Sequence, residues 1–383
     1  MRILIDKNIP LAASACKHLG NVVLMETTEF SAAKVRDADI IVIRSETTVD
    51  RGLLEGSSVK FVGTATIGTD HIDVAYLESR GIAFASAPGS NSNSVKEYVL
   101  SAILMLSTWG GFHLKDMTIG VVGVGNIGTK VAELCGALGM NVLLNDPPLA
   151  RQTHQSKFLP LDALMDADIV TLHVPLTMSG VDATVSLFDG RRIDSMKKGS
   201  ILINTARGRV VKSQAFKYAI RTHRLSATVV DVWEGEPAID VDLLRLVTLG
   251  TAHIAGYSLD GKVKAMSIIR SAMCQYLKIS SGWNPDTEMP PPSIPIIDID
   301  KDLTDEEILR VAVHSCYSIG EDDRHLRVVL SKPEEERAGY FRRLRTGYRI
   351  RREFAASVVR IPPARVSAAR LLSAAGFRVE QSG

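Results

Sequence analysis

Thr118-Ile119-Gly120-Val121-Val122-Gly123-Val124-Gly125-Asn126-Ile127-Gly128 decides the fold of this 383-residue chain. Its first five residues are an apolar, Val/Ile-rich run of the kind that forms a buried parallel strand. The next six spell G-x-G-x-x-G, and the residues beyond, to about Leu138, have helical spacing. Glycines at a strand-to-helix turn let backbone approach a pyrophosphate, whose charge then meets the N–H groups of the helix terminus. Such a hexapeptide is weak evidence alone, because glycine clusters are common in turns. The next strand strengthens it, since Asn141–Asn145 runs into Asp146, 18 residues beyond Gly128. A carboxylate there accepts ribose hydroxyls and repels a 2′-phosphate, which favours NAD over NADP. Gly123, Gly125, Asn126, Ile127, Gly128 and Asp146 are therefore the expected cofactor-binding residues.

Outward from this turn, apolar strands recur at Ile169–Leu172, Ser200–Asn204, 227–232 and 247–250, with room for a helix between each pair. That alternation predicts a doubly wound, Rossmann-type parallel sheet whose ligand crevice lies at the carboxyl ends of the strands. Before it, runs at 2–5, 22–25, Ile40–Ile43, 60–64 and 82–85 predict a smaller α/β unit, and a long helix spans about 92–107. After a helix over 258–279, Met289-Pro290-Pro291-Pro292-Ser293-Ile294-Pro295 interrupts regular structure and reads as a linker. Thr304 to Glu307 then has the form of a capping box ahead of an apolar helix over 308–317. Further apolar runs at 328–330 and 357–361, an Arg-rich amphipathic stretch over 334–348 and a helix over Val366–Ala375 make a small α+β C-terminal domain.

Lys plus Arg at 45 against Asp plus Glu at 43 leaves a formal charge of +2, so no global field argues for nucleic acid or a membrane surface. The four cysteines lie far apart without a C-x-x-C pair, which argues against a zinc site or a disulfide framework and fits a reducing cytoplasm. Asp6 and Lys7 break the opening apolar run before it resembles a signal peptide. The longest apolar stretch, 98–109, is too short to cross about 30 Å of hydrocarbon. No metal ion is expected.

Three later strand ends carry a second constellation. Asn204-Thr205-Ala206-Arg207-Gly208, Asp231-Val232-Trp233-Glu234-Gly235-Glu236-Pro237 and Thr251-Ala252-His253-Ile254-Ala255-Gly256-Tyr257 bring an Arg, a Glu and a His to one edge of one sheet. His253 can exchange a hydroxyl proton near neutral pH. Glu236, bonded to the other imidazole nitrogen, would orient the ring and stabilise its charged form. Arg207 offers the planar fork that clamps a carboxylate and polarises the neighbouring carbonyl. Each residue alone has a dull explanation; the triplet is a hydride-transfer set.

These motifs, with Val42-Ile43-Arg44-Ser45, Phe61-Val62-Gly63-Thr64-Ala65-Thr66 and Gly68-Thr69-Asp70-His71-Ile72-Asp73, resemble the D-isomer-specific 2-hydroxyacid dehydrogenases over roughly residues 1 to 280. A closer likeness, to one branch of that family, takes in the C-terminal domain. The resemblance implies that Arg207, Glu236 and His253 are catalytic, that Val174, Asp231 and Gly256 also contact NAD, and that Ser45, Thr66 and Tyr257 contact substrate. Arg44 joins them as a candidate donor to a substrate phosphate. It further implies a flavodoxin-like substrate domain (1–93 and 257–285), an NAD-binding Rossmann domain (94–256) and a dimerisation domain (286–383). The chain is then expected to be a homodimer that oxidises a small phosphorylated hydroxy acid. Ala252 stands where the family usually has Pro, and Thr129-Lys130 where Arg is common, without touching a reacting group.

Two rival readings remain at this level: a dehydrogenase of another 2-hydroxy acid, such as 3-phosphoglycerate, and a non-catalytic NAD-sensing protein of the co-repressor kind. His71 reads as a turn-stabilising residue and His173 as a wall of the nicotinamide pocket. The basic run Arg342, Arg343, Arg345, Arg349, Arg351 and Arg352 reads as a solvated face or a subunit contact, since Glu334, Glu335, Glu336 and Glu353 temper it.

Overall fold

A computed structural model describes residues 1–280, 282–299 and 302–381. The chain divides into two compact units, Met1–Asn91 with Ser258–Pro291 and Ser92–Tyr257 with Pro292–Gly383.

In the first unit, strands β1 (Arg2–Asp6), β2 (Asn21–Met25), β3 (Ile40–Ile43), β4 (Phe61–Thr64) and β5 (Ala83–Ala85) form an all-parallel sheet in the order β2-β1-β3-β4-β5. This is the flavodoxin-like order expected from the sequence. The continuous apolar runs arise because both faces are covered: Ile3, Ile5, Val42 and Phe61 pack with Met266, Ile269 and Met273 of the helix Leu259–Leu277, while Leu4, Ile41 and Val62 pack with Leu53, Leu54 and Leu77.

The second unit holds six parallel strands, β6 (Thr118–Val122), β7 (Asn141–Asn145), β8 (Ile169–Leu172), β9 (Ser200–Asn204), β10 (Leu225–Val230) and β11 (Leu249–Gly250), in the order β11-β10-β9-β8-β6-β7. Outside β7, Phe158 makes a parallel bridge to Leu144, and the Leu159 N–H donates to the Leu144 carbonyl at 2.7 Å. This one-residue remnant supplies the third position of a Rossmann sheet, and the direction of winding reverses between β6 and β8. The strand expected over 227–232 ends two residues early, because Asp231 and Val232 already belong to the loop beyond it.

The C-terminal segment has its own parallel sheet, β12 (Ile296–Asp298), β13 (Val358–Ile361) and β14 (Arg378–Gln381), in that order. It packs within the second unit. The reason lies in the helix Ser92–Gly110, which is buried around most of its circumference and so needs cover on more than one side. Its Tyr98, Val99 and Ile103 share one core with Ile119, Ile169 and Ile203 of the sheet and with Leu309, Val313, Tyr317, Phe354 and Leu372 of the C-terminal segment. Glu97 of this helix meets Arg351 at 2.7 Å in full burial, and the Arg351 guanidinium lies 3.9 Å from the centre of the Tyr317 ring. The capping box at Thr304 and Glu307 forms as expected. The run over 328–330 is a 3-10 turn, while the helix Ile319–Arg327 and strands β12 and β14 were not legible in the sequence.

Candidate active site

The glycine turn lies beside the switch point of the second unit's sheet. Gly123, at φ 86°, follows β6; a Cβ there would meet the His173 carbonyl carbon and oxygen at 2.9 Å and Val174 Cγ1 at 2.8 Å, so the turn seats against the chain leaving β8. A Cβ on Gly128 would stand 1.9 Å from the Gly123 carbonyl oxygen, which only glycine avoids. Gly125 meets nothing within 4 Å, and Gly125 and Asn126 are exposed at the start of the helix Asn126–Ala137, whose first turn carries no acid. Ile127 is half-buried against the core behind it. A concave backbone with an open face and an uncompensated helix N-terminus fits a pyrophosphate.

Asp146 follows β7. One of its oxygens accepts the Val124 N–H at 2.8 Å, and the other caps the helix Pro147–Thr153 through the Leu149 N–H at 3.0 Å. It therefore braces the glycine turn, and each oxygen keeps a second lone pair for a ribose hydroxyl. His173 is clamped between Thr171 Oγ1 at 3.0 Å and Thr205 Oγ1 at 3.1 Å, and burial holds its pKa down to about 3. A neutral imidazole with both nitrogens engaged is a wall, not a proton carrier.

Arg207, Glu236 and His253 follow β9, β10 and β11, three adjacent strands. His253 Nδ1 and Glu236 Oε1 are 2.5 Å apart, while the other Glu236 oxygen accepts the Trp233 N–H at 3.3 Å. Burial works to raise the Glu236 carboxyl, but the His253 charge and hydrogen bond, the Arg345 charge and the Trp233 N–H outweigh it and hold the group below its usual value. Both side chains stay about a quarter exposed, at 28% and 24%, so the imidazole is reachable. The Arg207 loop is pressed onto the Glu236 loop: a Cβ on Gly208 would lie 2.1 Å from the Trp233 carbonyl carbon. The half-buried Arg207 side chain donates to the Ala206 carbonyl at 2.9 Å, and Asn204 fastens the turn by donating to the Arg207 carbonyl at 3.2 Å.

His253 sits at φ 54°, a left-handed conformation that needs support. Asp231 supplies it. The backbone carbonyl of Asp231 accepts the His253 N–H at 2.7 Å, Oδ1 accepts the Thr251 hydroxyl at 2.6 Å and the Ile254 N–H at 2.7 Å, and Oδ2 accepts the Ala255 N–H at 3.1 Å. Burial pushes the Asp231 carboxyl up against the lowering pull of His253 and these donors. The Thr251 hydroxyl also bonds Tyr98 at 2.7 Å, and the Thr251 carbonyl accepts the Trp233 indole N–H at 2.8 Å. Asp231, read from the resemblance as an NAD contact, is thus also the clasp of the His253 loop, a role no sequence signal announced.

Gly256 and Tyr257 close this loop. The Arg345 guanidinium lies 5.8 Å from the centre of the Tyr257 ring, and the Tyr348 ring stands nearly perpendicular to it with centroids 5.8 Å apart. Of the basic run, Arg345 therefore reaches the site, whereas Arg349 pairs with Asp322 at 2.7 Å and Arg351 is buried with Glu97.

The remaining candidates lie at the carboxyl edge of the first unit's sheet. Arg44 and Ser45 follow β3, with Arg44 half-buried and 3.6 Å from Glu46, and Ser45 exposed. Thr66, beyond β4, bonds Thr64 at 2.8 Å and donates to the Gly68 carbonyl at 2.9 Å. His71 joins the same chain through Thr64 at 3.0 Å, and its carbonyl accepts the Val49 N–H, as a turn-stabilising residue should. Among the described residues no cluster of His, Cys, Asp or Glu suits a metal ion, and no helix is long and apolar enough to cross a membrane.

Residues 101–255 match the family description "D-isomer specific 2-hydroxyacid dehydrogenase, NAD binding domain", and residues 289–376 match a domain of unknown function, DUF3410. Over its whole length the chain is 41% identical to the full erythronate-4-phosphate dehydrogenase of Chromohalobacter salexigens. It is also 41% identical to the enzyme of that name from Escherichia coli K12, over 98% of both chains. The NAD-dependent formate dehydrogenase of Staphylococcus aureus, solved in complex with NAD, is 25% identical with a TM-score of 0.59, over 74% of this chain and 100% of that one.

Proposed function

The chain belongs to the erythronate-4-phosphate dehydrogenase family of D-isomer-specific 2-hydroxyacid dehydrogenases, and from that premise we propose that it oxidises the C2 hydroxyl of 4-phospho-D-erythronate to the 2-oxo acid, a step of pyridoxine biosynthesis. NAD, when bound, supplies the hydride acceptor. The backbone of Gly123 to Gly128 and the Asp146 carboxylate would hold it, with Val174, Asp231 and Gly256 in further contact by the resemblance.

His253 takes the hydroxyl proton on Nε2 as the C2–H bond breaks and the C2=O bond forms. The ionised Glu236 carboxylate at Nδ1 fixes the ring and stabilises the imidazolium so made; in the reverse direction the same proton returns. Arg207 clamps the substrate carboxylate and draws electron density toward the forming carbonyl. The observation that carries this reading is the 2.5 Å contact between Glu236 and His253 on a loop held by Asp231. The roles of Arg44, Ser45 and Thr66 toward substrate rest on the resemblance alone.

The intact pair also separates an enzyme from an NAD-sensing protein of the same fold. Replacing His253→Asn keeps a polar side chain and removes the proton acceptor, so kcat should fall about 10²- to 10⁴-fold while NAD affinity, measured by calorimetry, holds. Turnover by the variant at the wild-type rate would defeat the assignment. The C-terminal segment, with exposed Ile296, Ile350 and Val366, is the proposed dimer surface, checked by light scattering in solution. The four cysteines are all free thiols, in keeping with a cytoplasmic site.

A further inference from the structure

A cavity of about 400 Å³ opens at the edge of the second unit's sheet opposite the catalytic loops. Its wall is built from residues at the amino ends of the parallel strands: Met117 before β6, Asp168 before β8, Ser200 at the start of β9, Ser226 near the start of β10 and Thr248 before β11. Arg207, Glu236 and His253 follow the carboxyl ends of the same sheet, so a strand length of about 15 Å lies between the two places. The cavity is therefore distinct from both the glycine turn and the catalytic loops. Its volume falls in the range of small-molecule sites, roughly 300–1,000 Å³.

The chemistry of the wall points to one ligand class. The helix Ser92–Gly110 ends here, and its Trp109 stands 61% exposed beside Leu106, Phe112 and Met117, with no ring or hydrogen-bond partner among the described residues. An indole face left uncovered next to apolar side chains is a stacking surface for a flat ring. The charged residues of the wall are Lys197, Lys198 and Asp168, which together carry one positive charge in excess. Asp168 is fully engaged, since one oxygen accepts from Lys197 Nζ at 2.6 Å and the other accepts the Thr118 N–H at 2.8 Å. Lys198 is exposed and meets no carboxylate among the described residues, so the uncompensated charge is its own. Ser200, 1% exposed, adds a buried Oγ without a hydrogen-bond partner among the described residues, and buried polar atoms are normally satisfied by protein or by a bound molecule.

We infer that this cavity is a second binding site, for a planar aromatic acid whose ring stacks on Trp109 and whose carboxylate pairs with Lys198. It lies across the sheet from the cofactor turn, so the two sites fill independently. Both side chains are on the surface, so replacing either leaves the core intact and NADH formation at the wild-type rate.

The test is calorimetric titration of the full chain, with and without saturating NAD, using 2-naphthoate and its uncharged analogue 2-naphthamide as probes. Wild type should bind one naphthoate with a Kd below about 1 mM, unchanged by NAD. Trp109→Ala should weaken this about 10-fold, the scale of a lost aromatic pair with its buried area. Naphthamide should bind wild type about 5-fold more weakly than naphthoate, as for one exposed ion pair, and that preference should vanish in Lys198→Gln. Displacement of naphthoate by NAD, equal affinity in Trp109→Ala and wild type, or no saturable binding by about 1 mM would each overturn the site. A preference for the acid that survives Lys198→Gln would overturn the pairing of its carboxylate with that lysine.

Discussion

Replacing Asp231→Asn tests whether the His253 loop is held by one carboxylate. The aspartate accepts three donors, Thr251 and Ile254 at Oδ1 and Ala255 at Oδ2. An asparagine keeps at best the two bonds at its oxygen and turns its NH₂ toward the Ala255 N–H, opposing two buried donors. A lost bond to a charged acceptor costs about 1.5–3 kcal/mol. Part of this is offset in global stability, because burial raises the Asp231 pKa and so disfavours the folded state once the unfolded chain has ionised; the amide lacks that cost. The offset does nothing for loop geometry, since the opposed donors act on the residues following His253. If about 2 kcal/mol is expressed as misplacement of the imidazole, kcat falls roughly 30-fold at 1.4 kcal/mol per factor of ten. Steady-state NADH formation at saturating NAD and substrate measures this, with thermal unfolding as the control. The substrate KM should change little, because Arg207 stands on a different loop. A variant with kcat within about 3-fold of wild type would show that the loop keeps its left-handed turn without the carboxylate, and the reasoning would fail.

Two glycine substitutions separate fold from cofactor site. Gly125→Ala, at φ −74° with nothing within 4 Å, should leave the thermal midpoint unchanged yet weaken NAD binding by calorimetry, since its methyl enters the space the pyrophosphate needs; Gly128→Ala, 1.9 Å from the Gly123 oxygen, should damage both. Equal NAD affinity in Gly125→Ala and wild type would move the pyrophosphate elsewhere. Glu236 has a folded pKa below its ordinary 4.5, so the stability it contributes is present above about pH 4.5 and is lost as pH falls through the lower folded value. The stability gap between wild type and Glu236→Gln, from denaturant unfolding, should therefore close on acidification below that point; a gap that widens there would reverse the sign.

The sheet was legible where its strands are buried on both faces. β6, β8 and β9 begin and end where the Val/Ile-rich runs do, because a strand covered by helices on both sides has no reason to alternate. Arg207, Glu236 and His253 were legible for a related reason: parallel strands deliver their following residues to one edge. Asp231 was not legible as a clasp. An aspartate at a strand end reads the same whether it faces a ligand or folds back on its own loop, and here the decision lies with the N–H groups of Ile254 and Ala255, more than twenty residues away in sequence.

Arg345 shows the limit more sharply. Its helix, Glu334–Thr346, buries only Phe341 and is charged nearly all around, the pattern of a solvated face. What places Arg345 against Tyr257 is the fastening of Tyr348 and Arg349 to Asp322, and of neighbouring Asp323 and Arg327 to β11 and the carbonyls before it. None of these contacts has a local sequence signature, because each joins residues separated by tens of positions through polar groups that also occur on any surface. The same network explains why the C-terminal segment packs with the Rossmann sheet: charged groups at β11 and apolar groups on the helix Ser92–Gly110 tie it down from two directions.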